Sequence, residues 1–432
     1  MAANPGSSGA GRLGSLGLIL YVALLRLPYV GLGFGSDWDA WLLATSGRRL
    51  AAGAGYAPSR PPGYPASEVL FGAFEGFGPV ATNLVAVLAS VLAALALARL
   101  LAPAGRMRAL LLAACASSLP VAIVAGCSTM DYMPSLAAFL WALVAAREEK
   151  AYPSAVLFAL SIAARPATLV LAPVWYVFSG KRPPRAALLA LALIALAAIP
   201  PLRALGLAHM RPTIGNYPSR YMVAQHVWDE TFGPIGLAAL LCAAGVLVFV
   251  RRPREDATRA VQTCMLSIGI LGSAVYLWMP YEAGYLLAPA MAGVVWVGLQ
   301  ARTGLLLPLA GALLISAHFD PISGSTALAR DADFRSRLVQ AADAFRRAAP
   351  GIPRPATVVT GFLVPQWLYA VGDSESLHGV ISISAARGER VYYVPTIAAW
   401  HRRIFHVDLE AAGALPLPTS EAILLKGLDF QN

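Results

Sequence analysis

Charge is scarce in this chain. Asp, Glu, Lys and Arg make up 13% of its 432 residues, 58% are hydrophobic, and the mean hydropathy is +0.63. One soluble core cannot hide that much apolar material, so an integral membrane protein is expected. That excludes a cytosolic enzyme, a disordered tail protein and a secreted disulfide scaffold. Cysteine is scarce too. Cys115, Cys127, Cys242 and Cys264 lie in or beside apolar runs without paired spacing, so neither a disulfide framework nor a zinc site is indicated and they read as small core residues. No Gly-rich phosphate loop follows a strand, and neither Gly-x-Ser-x-Gly nor His-Glu-x-x-His occurs, so a nucleotide-sugar or ATP reaction lacks its usual equipment. The net charge of +10 does not point to nucleic acid, because the arginines sit mainly in short loops between apolar runs, as cytoplasmic anchoring charges do.

What the chain has instead is a series of apolar runs of roughly bilayer length. They lie near residues 15–32, 80–102, 109–126, 134–147, 152–178, 185–204, 233–250, 261–279, 283–300 and 303–318. The fifth is interrupted by Arg165-Pro166; the proline ends a helix there, and a hairpin of two short helices keeps the charges on both flanks on one side. The reading is a polytopic α-helical membrane protein of about eleven segments, in the cytoplasmic membrane with its N-terminus inside. That orientation places Arg99, Arg106, Arg108, Lys181, Arg182, Arg185, Arg251, Arg252, Arg254, Arg259 and Arg302 in the cytoplasm. Outside it leaves a first loop (33–78), a loop over 206–230, and the tail. The membrane domain covers 1–318; the more polar 319–432 reads as a small soluble α/β domain. In the tail, Asp331–Ala348 has helical periodicity, and Thr357–Thr360, Val380–Ser384 and Val391–Val394 look like buried strands.

The first loop is where chemistry is expected. Asp37 and Asp39 stand just outside the first membrane helix, ahead of an amphipathic helix over Leu42–Ala52 lying on the membrane. Carboxylates at that depth are costly unless they have partners or a task. Ser36 or Asp37 suits a helix cap and Asp39 the positive helix end; with Asp37 capping, Asp39 is also available as a general base. Both roles can hold together. Next comes a stiff stretch from Gly53 to Pro65 that presents Tyr56, Arg60 and Tyr64 on proline-fixed backbone.

An acidic pair after the first helix, then Leu50-x-x-Gly53-x-x-Tyr56, then Arg60-Pro61-Pro62, resembles the GT-C superfamily of membrane glycosyltransferases. Within it, the chain is similar to the branch that includes protein O-mannosyltransferases and lipid A aminoarabinose transferases. Asp131-Tyr132-Met133-Pro134 and Ala164-Arg165-Pro166 resemble its second acidic position and its Arg-Pro at the apex of a short helix pair. The resemblance covers the first 180 residues or so. It implies an inverting transfer of one sugar from a polyprenyl-phosphate donor to a lipid, glycan or protein acceptor outside. By position it implies Asp39 as base, with Arg60 on the donor phosphate. The family's adjacent acids are here separated by Trp38, so which aspartate is the base stays open. Its late Arg-Tyr is absent; Tyr281-Glu282-Ala283-Gly284-Tyr285 stands before Pro289.

The candidate catalytic residues are therefore Asp39, Asp37 and Asp131, the last equally suited to capping its helix. Candidate phosphate-binding residues are Arg60, Arg165, Arg211 and Arg220; Arg165 also suits a clamp on backbone carbonyls, and Arg211 and Arg220 suit solvated or headgroup positions. Tyr56, Tyr64, Glu282 and Tyr285 are candidate substrate contacts. No metal motif is present; a divalent cation is the one cofactor considered, with His226 and Glu230 as conceivable ligands or ordinary polar surface. The rival expectation is a carrier or flippase, or a non-catalytic binding subunit, for lipid-linked saccharides. Carriers place polar groups at the midplane and break helices in duplicated halves, whereas this chain concentrates its polar groups outside.

Overall fold

A computed structural model describes residues 7–178, 184–209, 218–249, 256–322, 324–386 and 390–417. Helices dominate it, and each apolar run is helical. Among the described residues, five stretches are long and apolar enough to cross a membrane: Arg12–Tyr29, Gly78–Leu100, Pro184–Leu205, Thr258–Trp278 and Ala283–Gln300. A pair bent by 84°, Arg220–Thr231 and Pro234–Val246, makes a sixth if it is one span. Shorter apolar helices cover Tyr132–Arg147, Ala151–Ala164, Pro166–Phe178 and Thr303–His318. Leu84, Leu88 and Leu92 are exposed at four-residue spacing, as are Leu16, Leu20 and Leu24. Such stripes are unsuited to water and suited to hydrocarbon.

Proline sets where the runs break. The first helix, Ser7–Leu24, stops short of the expected 32 because Pro28 opens a 3-10 turn at Leu27–Tyr29. Fully buried Arg26 closes that end by donating to the carbonyls of Val22, Ser117 and Ala122 at 2.9–3.2 Å. The 109–126 run divides at Pro120 into Arg106–Ser117 and Pro120–Ala125. The break read at Arg165-Pro166 is present, with Arg165 extended at φ −149° between Ala151–Ala164 and the turn Pro166–Leu171. Three cysteines are buried as expected, but Cys242 is exposed.

The tail folds into an α/β unit. A four-stranded parallel sheet has the order β2-β1-β3-β4, formed by β1 (Ala356–Val359), β2 (Leu377–Val380), β3 (Arg390–Tyr393) and β4 (Leu415–Pro416). The second strand lies earlier than the expected 380–384. Ser382 instead caps a 3-10 turn at Ile383–Ala385, using its hydroxyl on the Ser384 amide. The tail helix is longer than expected, Ala327–Ala348, with Thr326 as its N-cap.

The loop helix, Trp38–Ala51, starts four residues earlier than read from the sequence because Asp37 caps it and accepts from the Asp39 amide at 2.8 Å. Its buried residues Ala40, Trp41, Leu43, Ala44, Ser46 and Gly47 meet protein. On one side it packs on the helix Pro65–Glu75, where Gly47 and Gly72 let the backbones touch; a Cβ on Gly47 would sit 2.8 Å from Gly72 Cα. On the other side lies the tail helix Val364–Ala370. There Tyr369 packs edge-on against Phe34 and Trp41 and donates to Glu75 at 3.0 Å, while Arg48 donates to the Tyr369 carbonyl at 2.7 Å. The tail is thus built onto the first loop.

Candidate functional site

Asp131 precedes the helix Tyr132–Arg147 and is fully buried, yet its side chain makes no cap hydrogen bond. Capping is not its role. Its two carboxylate oxygens instead take two guanidiniums, Arg60 at 2.9 Å and Arg165 at 2.6 Å. Two buried cations on one carboxylate would be intolerable unless further anions and ring faces compensated them. Arg60 has a second anion, Asp39, at 2.6 Å, and lies 3.7 Å above the Tyr64 ring. Arg165 lies between the rings of Tyr132 and Tyr285, at 3.8 and 4.5 Å. Tyr132 donates to Glu282, and Asp37 is hydrogen-bonded to Glu282 as well.

Eight of the residues singled out from the sequence therefore form one cluster: Asp37, Asp39, Arg60, Tyr64, Asp131, Arg165, Glu282 and Tyr285. Three of them are placed by backbone that glycine and proline control. Arg165 is turned inward by the helix break, and Arg60 and Tyr64 by the turn before Pro65–Glu75, where Gly63 adopts φ +100° beside Pro201. Tyr56 belongs elsewhere. Its hydroxyl donates at 2.5 Å to Glu68, a fully buried carboxylate that also takes the Ser59 amide and hydroxyl, so Tyr56 secures the loop rather than contacting the cluster. Arg220 is exposed at the start of the short helix Arg220–Gln225, apart from the cluster. Arg211 lies outside the described residues.

Four carboxylates face two guanidiniums here, and the excess of negative charge shows in their proton affinities. Burial, then repulsion from Glu282 and Asp39, pushes Asp37 well above the usual carboxylate range, so its neutral form donates to Glu282. Burial also raises Asp39; Arg60 pulls it back, and the charges of Glu282 and Asp131 push it up again, leaving it at about 7. Burial opposes ionisation of Asp131 too, but Arg165 and Arg60 together outweigh it and hold Asp131 below its usual value. One carboxylate is thus permanently charged and structural, while another is poised to take or give a proton near neutrality. Asp37, Asp39 and Glu282 offer oxygens within 4.8 Å of one another, a spacing that a divalent cation could use.

Two hollows open from the cluster. One is narrow, about 70 Å³, between membrane helices, with Arg165 and Tyr285 at its head and Leu136, Phe139, Leu287 and Pro289 along its walls. The other is larger, about 490 Å³, with charged and apolar side chains together; Asp37, Trp38 and Glu282 form one wall, His226 and Glu230 a second, and the tail helix a third. His226 and Glu230 come from a π-helical turn, His226–Thr231, a form often found at functional sites. His226 is buried, with Nδ1 3.2 Å from the Tyr276 hydroxyl.

Sequence reasoning passed over Tyr132 as a site residue, although it adjoins Asp131 and both floors Arg165 and binds Glu282. It also assigned the tail no chemistry, although Arg330, Asp331 and Phe334 line the larger hollow. The i,i+4 pair Asp331–Arg335 could be read from the sequence, but so could Asp333–Arg337, and only the fold buries the first. No family model, curated protein or solved structure matches the chain.

Proposed function

We propose that this protein is a membrane glycosyltransferase of GT-C architecture, with about eleven membrane segments. It moves one sugar, with inversion, from a polyprenyl-phosphate donor to an acceptor on the outer face of the cytoplasmic membrane. The observation that carries this reading is a carboxylate–arginine cluster, in which Asp39 pairs with Arg60 at 2.6 Å and Asp131 joins Arg60 to Arg165, flanked by an apolar groove that Arg165 lines and a larger hollow that Asp37 and Glu282 line. The groove suits a lipid phosphate and the hollow suits a sugar and an acceptor.

In this reaction Asp39 takes the proton of an acceptor hydroxyl or amine. The acceptor's lone pair forms the new bond to the anomeric carbon, and the bond from that carbon to the phosphate oxygen breaks, its electron pair leaving on phosphate. A single displacement needs one base and inverts the centre. As Asp39 becomes neutral, its hold on Arg60 weakens, so the guanidinium is released toward the phosphate just as negative charge grows there. Arg165 meets the same charge from the head of the groove. Stabilisation that appears only as the bond breaks accelerates the step. Asp131 aims both arginines and takes no proton.

The test is transfer of labelled sugar from a panel of polyprenyl-phosphate donors to membrane acceptors, by wild type and Asp39→Asn at equal folding. Loss of roughly a hundredfold or more, the scale of a general base, is expected. Equal transfer by both would remove Asp39 from the mechanism, and no transfer with any donor would favour a carrier or binding subunit.

A further inference from the structure

The tail helix Ala327–Ala348 carries Arg335, which is fully buried. Its guanidinium donates to the Tyr29 carbonyl at 3.1 Å, to the Cys127 carbonyl at 2.9 Å and to the Ser128 hydroxyl, and its Nε lies 3.3 Å from Asp331. Asp331 in turn accepts from the Ser36 hydroxyl at 2.5 Å. Ser36 immediately precedes Asp37, and the Cys127-Ser128 turn leads into Asp131. The same two loops are laced together from the membrane side. Asn83 donates to the carbonyls of Val30 and Gly33 at 2.9 and 2.7 Å and accepts from Thr129, whose amide bonds the Phe34 carbonyl at 2.6 Å. The tail helix approaches closely over Gly33, at φ +94°, where a Cβ would fall 2.6 Å from Val339.

We infer that Arg335 is a positioning residue of the proposed transferase site, fastening from outside the two loops that carry Asp37 and Asp131, so that the tail is a fixed wall of the site. This rests on the transferase reading. The physical case is geometric. A guanidinium fork can hold carbonyls of two different loops at once, whereas an ammonium cannot reproduce that planar grip. The first loop leads through Asp37 to Asp39 and the second to Asp131, and these two carboxylates share Arg60 at 2.6 and 2.9 Å; a slip of about 1 Å at such a centre costs roughly a hundredfold in rate. The Asp331–Arg335 pair is local to one helix, but every other bond of the two side chains leaves the tail for the membrane domain.

The experiment uses full-length protein in detergent micelles, with Arg335→Ala, Arg335→Lys and, as a control on the exposed face of the same helix, Gln340→Ala. Amide exchange is followed by mass spectrometry together with sugar transfer. Arg335→Ala and Arg335→Lys are expected to speed exchange roughly tenfold at 29–37 and 127–131 while leaving 356–359 protected. kcat is expected to fall roughly a hundredfold with donor KM nearly unchanged. Gln340→Ala changes neither. Should the alanine variant fail to fold, the lysine variant carries the comparison. Unaltered exchange at both loops, or wild-type kcat despite altered exchange, overturns the proposal. If wild type transfers nothing, the transferase reading falls and positioning for transfer falls with it, while altered exchange would show the anchoring alone to be real.

Discussion

Asp131→Asn keeps the side-chain shape and removes one charge, so it isolates what the buried carboxylate does. Asp131 is fully buried between Arg60 and Arg165. Removing one partner from such an arrangement leaves uncompensated charge in a poor solvent, a loss of about 3–5 kcal/mol. Arg165 bears most of it, because Arg60 retains Asp39 at 2.6 Å. A second consequence has a definite sign. The charge of Asp131 raises Asp39 and Arg60 lowers it; with asparagine at 131 the repulsion disappears and Arg60 pairs with Asp39 alone, so Asp39 ionises below 7. The expected results are an unfolding midpoint several degrees lower in micelles and an acid limb of the pH–transfer profile displaced to lower pH. Unchanged stability, or an acid limb that stays in place or moves upward, would refute the electrostatic account of the cluster.

Other perturbations test other links. Gly47→Val puts a branched side chain where the backbone meets Gly72 at 2.8 Å, which should destabilise the loop by about 1–3 kcal/mol and appear as earlier thermal unfolding; a neutral result would mean the two helices are not in contact. Tyr369→Ala removes one hydrogen bond and two edge-on ring contacts between tail and loop, worth about 2 kcal/mol together; limited proteolysis should then cut between the domains, and resistance equal to wild type would contradict that interface. Asp39 has its folded value raised from about 3.9 in an unfolded chain to about 7, so its contribution to stability is fully present below about pH 4 and lost as pH rises through 7. Wild-type midpoints should therefore decline between pH 5 and 8, and Asp39→Asn should flatten that decline; parallel curves would show that Asp39 is not raised.

Much of the architecture was legible because apolar runs and prolines act locally. The break at Arg165-Pro166 follows from the missing amide of proline and the cost of an arginine in an apolar run. A cap at Ser36 or Asp37 was legible because both residue types accept from free helix amides and a helical pattern follows; the structure selects Asp37. Less legible was the exact helix start, since Trp38 and Asp39 join the helix only because Asp37 supplies the cap. The second strand was misplaced by about three residues because Val380–Ser384 is β-branched at its start while pairing with β1 selects Leu377–Val380. Tyr56 and Tyr64 looked equivalent in a proline-rich stretch. Only folding sends one to Glu68 and the other beneath Arg60.

The sequence by itself determined that the chain is built of apolar helices broken at particular prolines, and that polar residues gather in the first loop, at Asp131 and at Arg165, because hydropathy and backbone restriction are properties of short segments. It could not determine that Asp131 would hold two arginines rather than cap its helix, that Asp39 would titrate near neutrality while Asp131 stays charged, or that Arg335, some three hundred residues from Tyr29, would clasp the loops of the site. Those outcomes depend on which charges the fold brings within a few ångströms in a medium that screens them weakly, and that is decided only when distant segments pack together.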